Sequence, residues 1–253
     1  MTHIAALLLA AGAGVLGGAM NALAGGGTFA TLPALIAVGL PANIANATSN
    51  VALLPGAAAS AWAYRDELGA VAGLSARLLA TVTFVFGLVG SLLLVLTPAK
   101  AFDVLIPWLL LFAFVVMVFG RRAADWLHEH VIISRSTLLA GQSLLGIYGG
   151  YFGGGVGLIL TALYGLLANI RPRELFAIRT AMLVVANLAA ALVFIAFAMV
   201  RWWACLPMLL GSIAGGWLGA LVGKRMSHRS VRVWTLLITG ATTIVFFVRA
   251  YGG

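Results

Sequence analysis

Apolar runs separated by short polar or charged turns fill the chain from end to end, in two sets. The first set opens with a hairpin over residues 4–40, interrupted near 25–27. Pro41 and a polar face of Asn43, Asn46 and Asn50 lead on to spans at about 44–64, 71–97 and 102–119. Arg65-Asp66-Glu67 marks one turn, Pro98 with Lys100 another, and Pro107 predicts a kink in the last span rather than its end. The second set has a hairpin over 137–168, interrupted at 153–155, a charged turn NIRPRE at 169–174, and spans at about 175–199, 204–224 and 232–250. Arg201-Trp202-Trp203 and the basic turn KRMSHRSVR join these spans. One polar linker, RRAADWLHEHVIISRS, separates the sets. The chain therefore divides into a first membrane repeat (1–119), a linker (120–136) and a second membrane repeat (137–253).

The interruptions are triglycines. Gly25-Gly26-Gly27-Thr28 lies in NALAGGGTFATLPALIAVGL, and Gly153-Gly154-Gly155-Val156 lies 128 residues later in GIYGGYFGGGVGLILTALYGLL. Thr83, Gly87 and Ser91 match Gly211, Gly215 and Gly219 at the same offset. Each glycine in a helix interior costs about 0.8–1 kcal/mol relative to Ala, so three in a row predict a break between two helical pieces. Inside hydrocarbon such a break is tolerated only where it is buried in protein or lines a polar cavity. A crossing helix needs about 20 apolar residues, and the second hairpin is short for two of them. It predicts two half-length pieces that enter and return on one face, whereas the longer first hairpin leaves room for its opening helix to cross.

Composition agrees: 63% of the 253 residues are hydrophobic and 8% charged. A soluble domain carries roughly 25% charge. The net charge of +9 is distributed in short clusters between apolar runs, which fits a topogenic role and not nucleic-acid binding. If each element after a hairpin crosses once, one face receives Arg65, Arg77, Arg121, Arg122, Arg135, Arg171, Arg173, Lys224, Arg225, Arg229 and Arg232, and the other Lys100, Arg201 and Arg249. The positive-inside bias makes the first face cytoplasmic and places both termini outside. Three single crossings per half then invert the halves. The expected fold is an all-α polytopic membrane protein of two inverted repeats, each a broken-helix hairpin followed by three transmembrane helices. That is a transporter architecture, with the substrate between the repeats. The opening MTHIAALLLAAGAG has no basic n-region and reads as mature protein.

A helix start presents free N–H groups and the positive end of a dipole, which suits an anion. Thr28 and Val156 begin fresh helices after the triglycines, and hairpins entering from opposite faces would bring them together; close helix packing is the alternative use of the glycines. Arg179 lies about five residues into its span and begins a run with no other charge until Arg201, and a buried membrane arginine is a functional candidate. Its alternatives are snorkelling to the surface and pairing with Glu174. Asn187, eight residues on, extends the same helical face. Thr28, Asn21, Thr48, Ser49 and Asn50 supply neutral donors near the first break, Thr180 stands beside Arg179, and Tyr148 and Tyr151 flank the second break. The candidate substrate site is thus Gly25, Gly26, Gly27, Thr28, Thr48, Ser49, Asn50, Gly153, Gly154, Gly155, Arg179, Thr180 and Asn187.

Other matches lead away from chemistry. Gly12-x-Gly14-x-x-Gly17 follows no strand, His128-Glu129-His130 lacks zinc-helix spacing, and no Walker lysine follows either triglycine. Gly211, Gly215, Gly219 and Gly223 form a GxxxG ladder, read as close packing or as a homodimer contact through the helix at 204–224. Cys205 is alone, and the six carboxylates sit at or near helix ends or in loops. No cofactor, metal or catalytic residue is expected, and the partners are a small anion and the lipid bilayer.

GGGTFATLPALIAVGLPANIANATSN, with GGGVGLILTALYGLL and RPRELFAIRTAMLVVANLAA in the second half, resembles the sulfite exporter TauE/SafE family over nearly the whole chain. The resemblance implies a bacterial inner-membrane permease for small sulfur-containing anions or related organic acids. Val156 stands where the first half has Thr28, and Arg179 where it has Thr48, so the site is asymmetric in detail. The expectation is a secondary transporter for sulfite or a sulfonate, exporting by alternating access. An anion channel or a non-transporting scaffold are the alternatives.

Overall fold

The computed structural model describes residues 2–71, 73–130, 134–165, 170–223 and 228–252. Lys224 and Arg225 of the basic face, Asn169 of the charged turn, residues 166–168 of the second hairpin and residues 131–133 of the linker lie outside these. So do the side chains of Arg121, Arg122, His128, Glu129 and His130 and the surroundings of Gly223. Among the described residues the regular elements are helical. They run α1 His3–Leu23, α2 Thr28–Ala37, α3 Ala42–Ala63, a 3-10 turn Arg65–Glu67, α4 Ala76–Leu96, α5 Ala99–His130, α6 Arg135–Tyr151, α7 Val156–Gly165, α8 Pro172–Ala196, α9 Trp202–Gly223 and α10 His228–Tyr251.

Local chemistry sets the ends. Thr2, Ser75 and Ser134 cap α1, α4 and α6 by accepting from the amides of Ala5, Leu78 and Thr137. Pro172 opens α8 with its ring where no N–H is needed, and the Glu174 carboxylate accepts from the Arg171 amide at 3.2 Å. The triglycines break the chain as expected, by the same device in both halves. Gly25 (φ +85°) turns its amide back to the Met20 carbonyl at 3.0 Å, and Gly153 (φ +73°) turns its own to that of Tyr148 at 3.3 Å. The left-handed conformation suits glycine, and the helix stops there.

Five helices among the described residues are long and apolar enough to cross a membrane: His3–Leu23, Ala76–Leu96, Ala99–Gly120, Arg173–Ala196 and Arg229–Tyr251. α3 and α9 have 22 residues each. By contrast α2 and α7 have 10 each, reaching about 15 Å, half the hydrocarbon thickness. Pro107 sits within an unbroken α5, and that helix runs on to His130 through the first part of the linker.

The halves interlock. α1 packs on α9 and α6 on α4; α3 packs on α9 and α8 on α4; α2 touches α10 and α7 touches α5. Exchanging α1–α5 with α6–α10 maps each of these pairs onto its counterpart, while α3–α8 and α5–α10 map onto themselves. α3 and α8 form the centre, holding buried Ala45, Ala47, Ala52, Met182, Ala186 and Ala190. The outer helices carry exposed Leu92, Phe112, Trp217, Leu237 and Val248, a surface suited to lipid. Gly211, Gly215 and Gly219 meet α1 at Ala11, Val15 and Ala19, and Gly14 and Gly18 meet the backbone of Met208 and Ser212. The ladder is used within the chain for close helix approach.

Candidate functional site

The two breaks lie against each other. A Cβ built on Gly25 would stand 2.7 Å from the Gly157 Cα, and one on Gly26 3.6 Å from Leu158 Cδ1. From the other side, a Cβ on Gly155 would stand 2.8 Å from Ala113 Cβ and 3.3 Å from Phe29. The starts of α2 and α7 are therefore neighbours. Thr28 and Val156 are 6% and 1% exposed. Among the described residues, the amides of Thr28, Val156 and Gly157 have no hydrogen-bond acceptor. These are the orphan donors that every helix start leaves, here two sets converging in a buried place.

Side chains stiffen the breaks. The Asn21 carbonyl oxygen accepts from the Gly27 amide at 2.8 Å, so Asn21 caps α2 from the preceding helix. Thr31 donates to the Gly27 carbonyl at 3.2 Å and shares a 2.5 Å hydrogen bond with Ser49. Asn50 donates to Asn187 Oδ1 at 3.3 Å, and a Cβ on Gly153 would lie 2.9 Å from the Asn50 nitrogen. The Tyr148 hydroxyl lies 2.8 Å from the Gly154 carbonyl and 3.1 Å from that of Leu109, holding the second break to α5. Tyr151 turns away from the breaks, to Thr97.

Of the predicted residues, the structure gathers Gly25, Gly26, Gly27, Thr28, Ser49, Asn50, Gly153, Gly154, Gly155 and Asn187. Three stand elsewhere. Thr48 accepts from the Arg201 amide at 3.1 Å, ahead of α9. The Thr180 hydroxyl donates within its own helix to the carbonyls of Phe176 and Ala177. Arg179 lies eight residues before Asn187, about 12 Å along α8. It is only 4% exposed, so it does not reach outward, and Glu174 pairs with Arg171 instead. Its guanidinium lies over the Phe176 ring at 4.6 Å, and its Nε has no hydrogen-bond partner among the described residues.

Two further groups were not singled out as site residues. Thr31 is one turn into α2, and only the α2–α3 packing shows that it joins Ser49 to the break. Gln142 is fully buried, donating to Thr83 at 2.6 Å and accepting from the Tyr164 hydroxyl at 2.7 Å. It ties α6 to α4 and α7. Among the described residues no group of three or more His, Cys, Asp or Glu could hold a metal ion.

An all-helical chain with several crossing-length apolar helices and paired, half-length broken helices at its centre is a multi-pass membrane protein. More narrowly, the chain belongs to the sulfite exporter TauE/SafE family, whose model matches residues 10–246. It is 28% identical over 227 residues to a probable membrane transporter protein of Haemophilus influenzae, covering 87% of this chain and 88% of that one. A probable membrane transporter protein of Xylella fastidiosa is 28% identical over 243 residues, covering 92% of each chain. The probable membrane transporter protein YfcA of Escherichia coli K12 is 23% identical over 239 residues, covering 94% of this chain and 88% of that one. No solved structure matches. The protein is a membrane transporter.

Proposed function

We propose that this transporter is a secondary permease that moves a small sulfur-containing oxyanion, sulfite or a sulfonate, outward across a bacterial inner membrane. The observation that carries the reading is the contact of the two breaks, Gly25 against Gly157, with unpartnered amides of Thr28, Val156 and Gly157 beside it. Two helix starts supply oriented N–H donors and the positive ends of two dipoles, so an anion needs little formal charge from side chains. Ser49, Asn50 and Asn187 orient it. Arg179, about two turns away, attracts the anion on its approach; Thr48 and Thr180 hold backbone in place around the path.

Alternating access is drawn from the packing of the two repeats, 1–119 and 137–253, which exchange helices. α1, α2, α3 and α9 form one unit and α6, α7, α8 and α4 the other, and these two units move against each other about the α3–α8 contact. The basic loops face the cytoplasm and both termini face outward. With an inside-negative potential, expelling one negative charge gains about 2.3 kcal/mol per 100 mV, so export proceeds without a coupling ion. A homodimer through α9 would use its outer face, Leu210, Trp217 and Leu221, since its glycines are taken by α1.

The test is uptake of labelled sulfite, a sulfonate and a carboxylate into proteoliposomes, with Arg179→Ala beside wild type. Saturable flux with counterflow is expected, lowered about tenfold or more in the variant through loss of electrostatic attraction. Flux without counterflow would mean a channel. No flux of any of the three would sink the proposal.

A further inference from the structure

The second break is lined by acceptors as well as donors. Asn46 and Asn50 lie one turn apart on α3 and are 1% and 4% exposed. The Asn46 nitrogen donates to the Tyr151 carbonyl, the last residue of α6, at 3.2 Å. Only the NH2 end of an amide can meet a carbonyl, so this contact fixes which way the side chain faces. Its Oδ1 has no hydrogen-bond partner among the described residues. Asn50 presents its nitrogen to Asn187 and its Oδ1 likewise has no partner. An amide facing an amide can stand either way round, so Asn46 is the acceptor whose orientation the contacts fix. Buried amide oxygens are nearly always hydrogen-bonded, and these two lie side by side at the same break.

The helix starts offer N–H donors alone. An oxyanion without hydrogens would answer them and leave both asparagine oxygens unmet. An oxyanion that also carries one O–H or N–H answers the helix starts and donates to one of these oxygens, that of Asn46. Two neutral oxygens make a thin shell for a metal ion, and no cluster of ionisable metal ligands accompanies them among the described residues. We infer that the site prefers a small monoanion carrying its own hydrogen-bond donor, hydrogen sulfite or a hydroxyl-bearing sulfonate, over a donor-free anion of the same charge. The inference rests on the two breaks being the anion site.

Ethanesulfonate and 2-hydroxyethanesulfonate carry the same charge and differ by one hydroxyl. Equilibrium binding of each to the purified full chain in nanodiscs, at fixed ionic strength, reads the preference directly. The hydroxylated anion is expected to bind about tenfold or more tightly, the effect of one hydrogen bond to an otherwise unpaired buried acceptor. Asn46→Ala is expected to bring it down to the affinity of ethanesulfonate. Equal affinities in the wild type would overturn the inference and leave the anion site standing. If neither sulfonate binds, sulfite decides: affinity rising as pH falls through the protonation of the dianion to hydrogen sulfite supports the inference, and a flat or falling profile overturns it. Failure of sulfite and both sulfonates to bind would overturn the anion site itself.

Discussion

Gly25 and Gly157 stand backbone to backbone across the two halves: a Cβ on the first would lie 2.7 Å from the second's Cα, and a Cβ on the second 2.8 Å from the first's. Neither position has room for a side chain, and Gly25 also needs its φ of +85°. Gly39 has φ +93° but open space where a Cβ would go. Gly39→Ala should therefore cost only the left-handed penalty, about 1–2 kcal/mol. Gly25→Ala should add about 1–3 kcal/mol of overpacking to that. Thermal unfolding of the two variants in detergent checks the difference; equal midpoints would mean the breaks are not in firm contact.

The Thr83–Gln142–Tyr164 chain of hydrogen bonds is fully paired and buried. Tyr164→Phe leaves the Gln142 oxygen without its donor, and Gln142→Leu leaves the Tyr164 hydroxyl without its acceptor, while Thr83 keeps its bond to the Leu79 carbonyl. Each should cost about 1–3 kcal/mol. The double variant should cost less than the sum, because the two residues share one interaction. Unfolding midpoints of the three variants measure the coupling, and strict additivity would contradict it.

Sidedness can be read chemically because the native cysteine is buried. Asp66→Cys and Lys100→Cys lie at exposed positions on opposite predicted faces. In intact cells a membrane-impermeant thiol reagent should label the Lys100→Cys variant and spare Asp66→Cys. The reverse pattern would invert the topology.

Much of this was legible in the sequence, for identifiable reasons. Triglycines announce a helix break wherever they stand, and both breaks fall at the expected glycines. The start of α3 follows from Pro41, whose chemistry is local. α4 instead begins at Ala76 under the Ser75 cap, five residues after the apolar run starts, and α8 at Pro172, inside the charged turn. A cap and a proline at a helix start outrank polarity there. The extent of α5 was not legible, because RRAADWLHEH is polar but rich in helix formers. Polarity there limits the apolar run, not the helix. Repeat alignment set Thr48 where the second half has Arg179, yet equivalent positions are not neighbours. α3 and α8 cross antiparallel, so that Asn50 meets Asn187 while Tyr64, just past the end of α3, stacks on Phe176 near the start of α8. Thr31 and Gln142 acquire their partners only from tertiary packing, which no spacing announces.

The central claim is that the paired helix starts hold an anion, and a carboxylate tethered at one of them tests it most directly. Thr28→Asp would place a negative charge on the free amides of α2, and Thr28→Asn is its neutral counterpart of nearly equal size. If the starts form the anion site, the aspartate occupies it. Labelled sulfite flux in proteoliposomes should fall to background, while thermal unfolding in detergent shows both variants folded. Thr28→Asn should keep transporting. Flux in Thr28→Asp equal to that in Thr28→Asn would contradict the account.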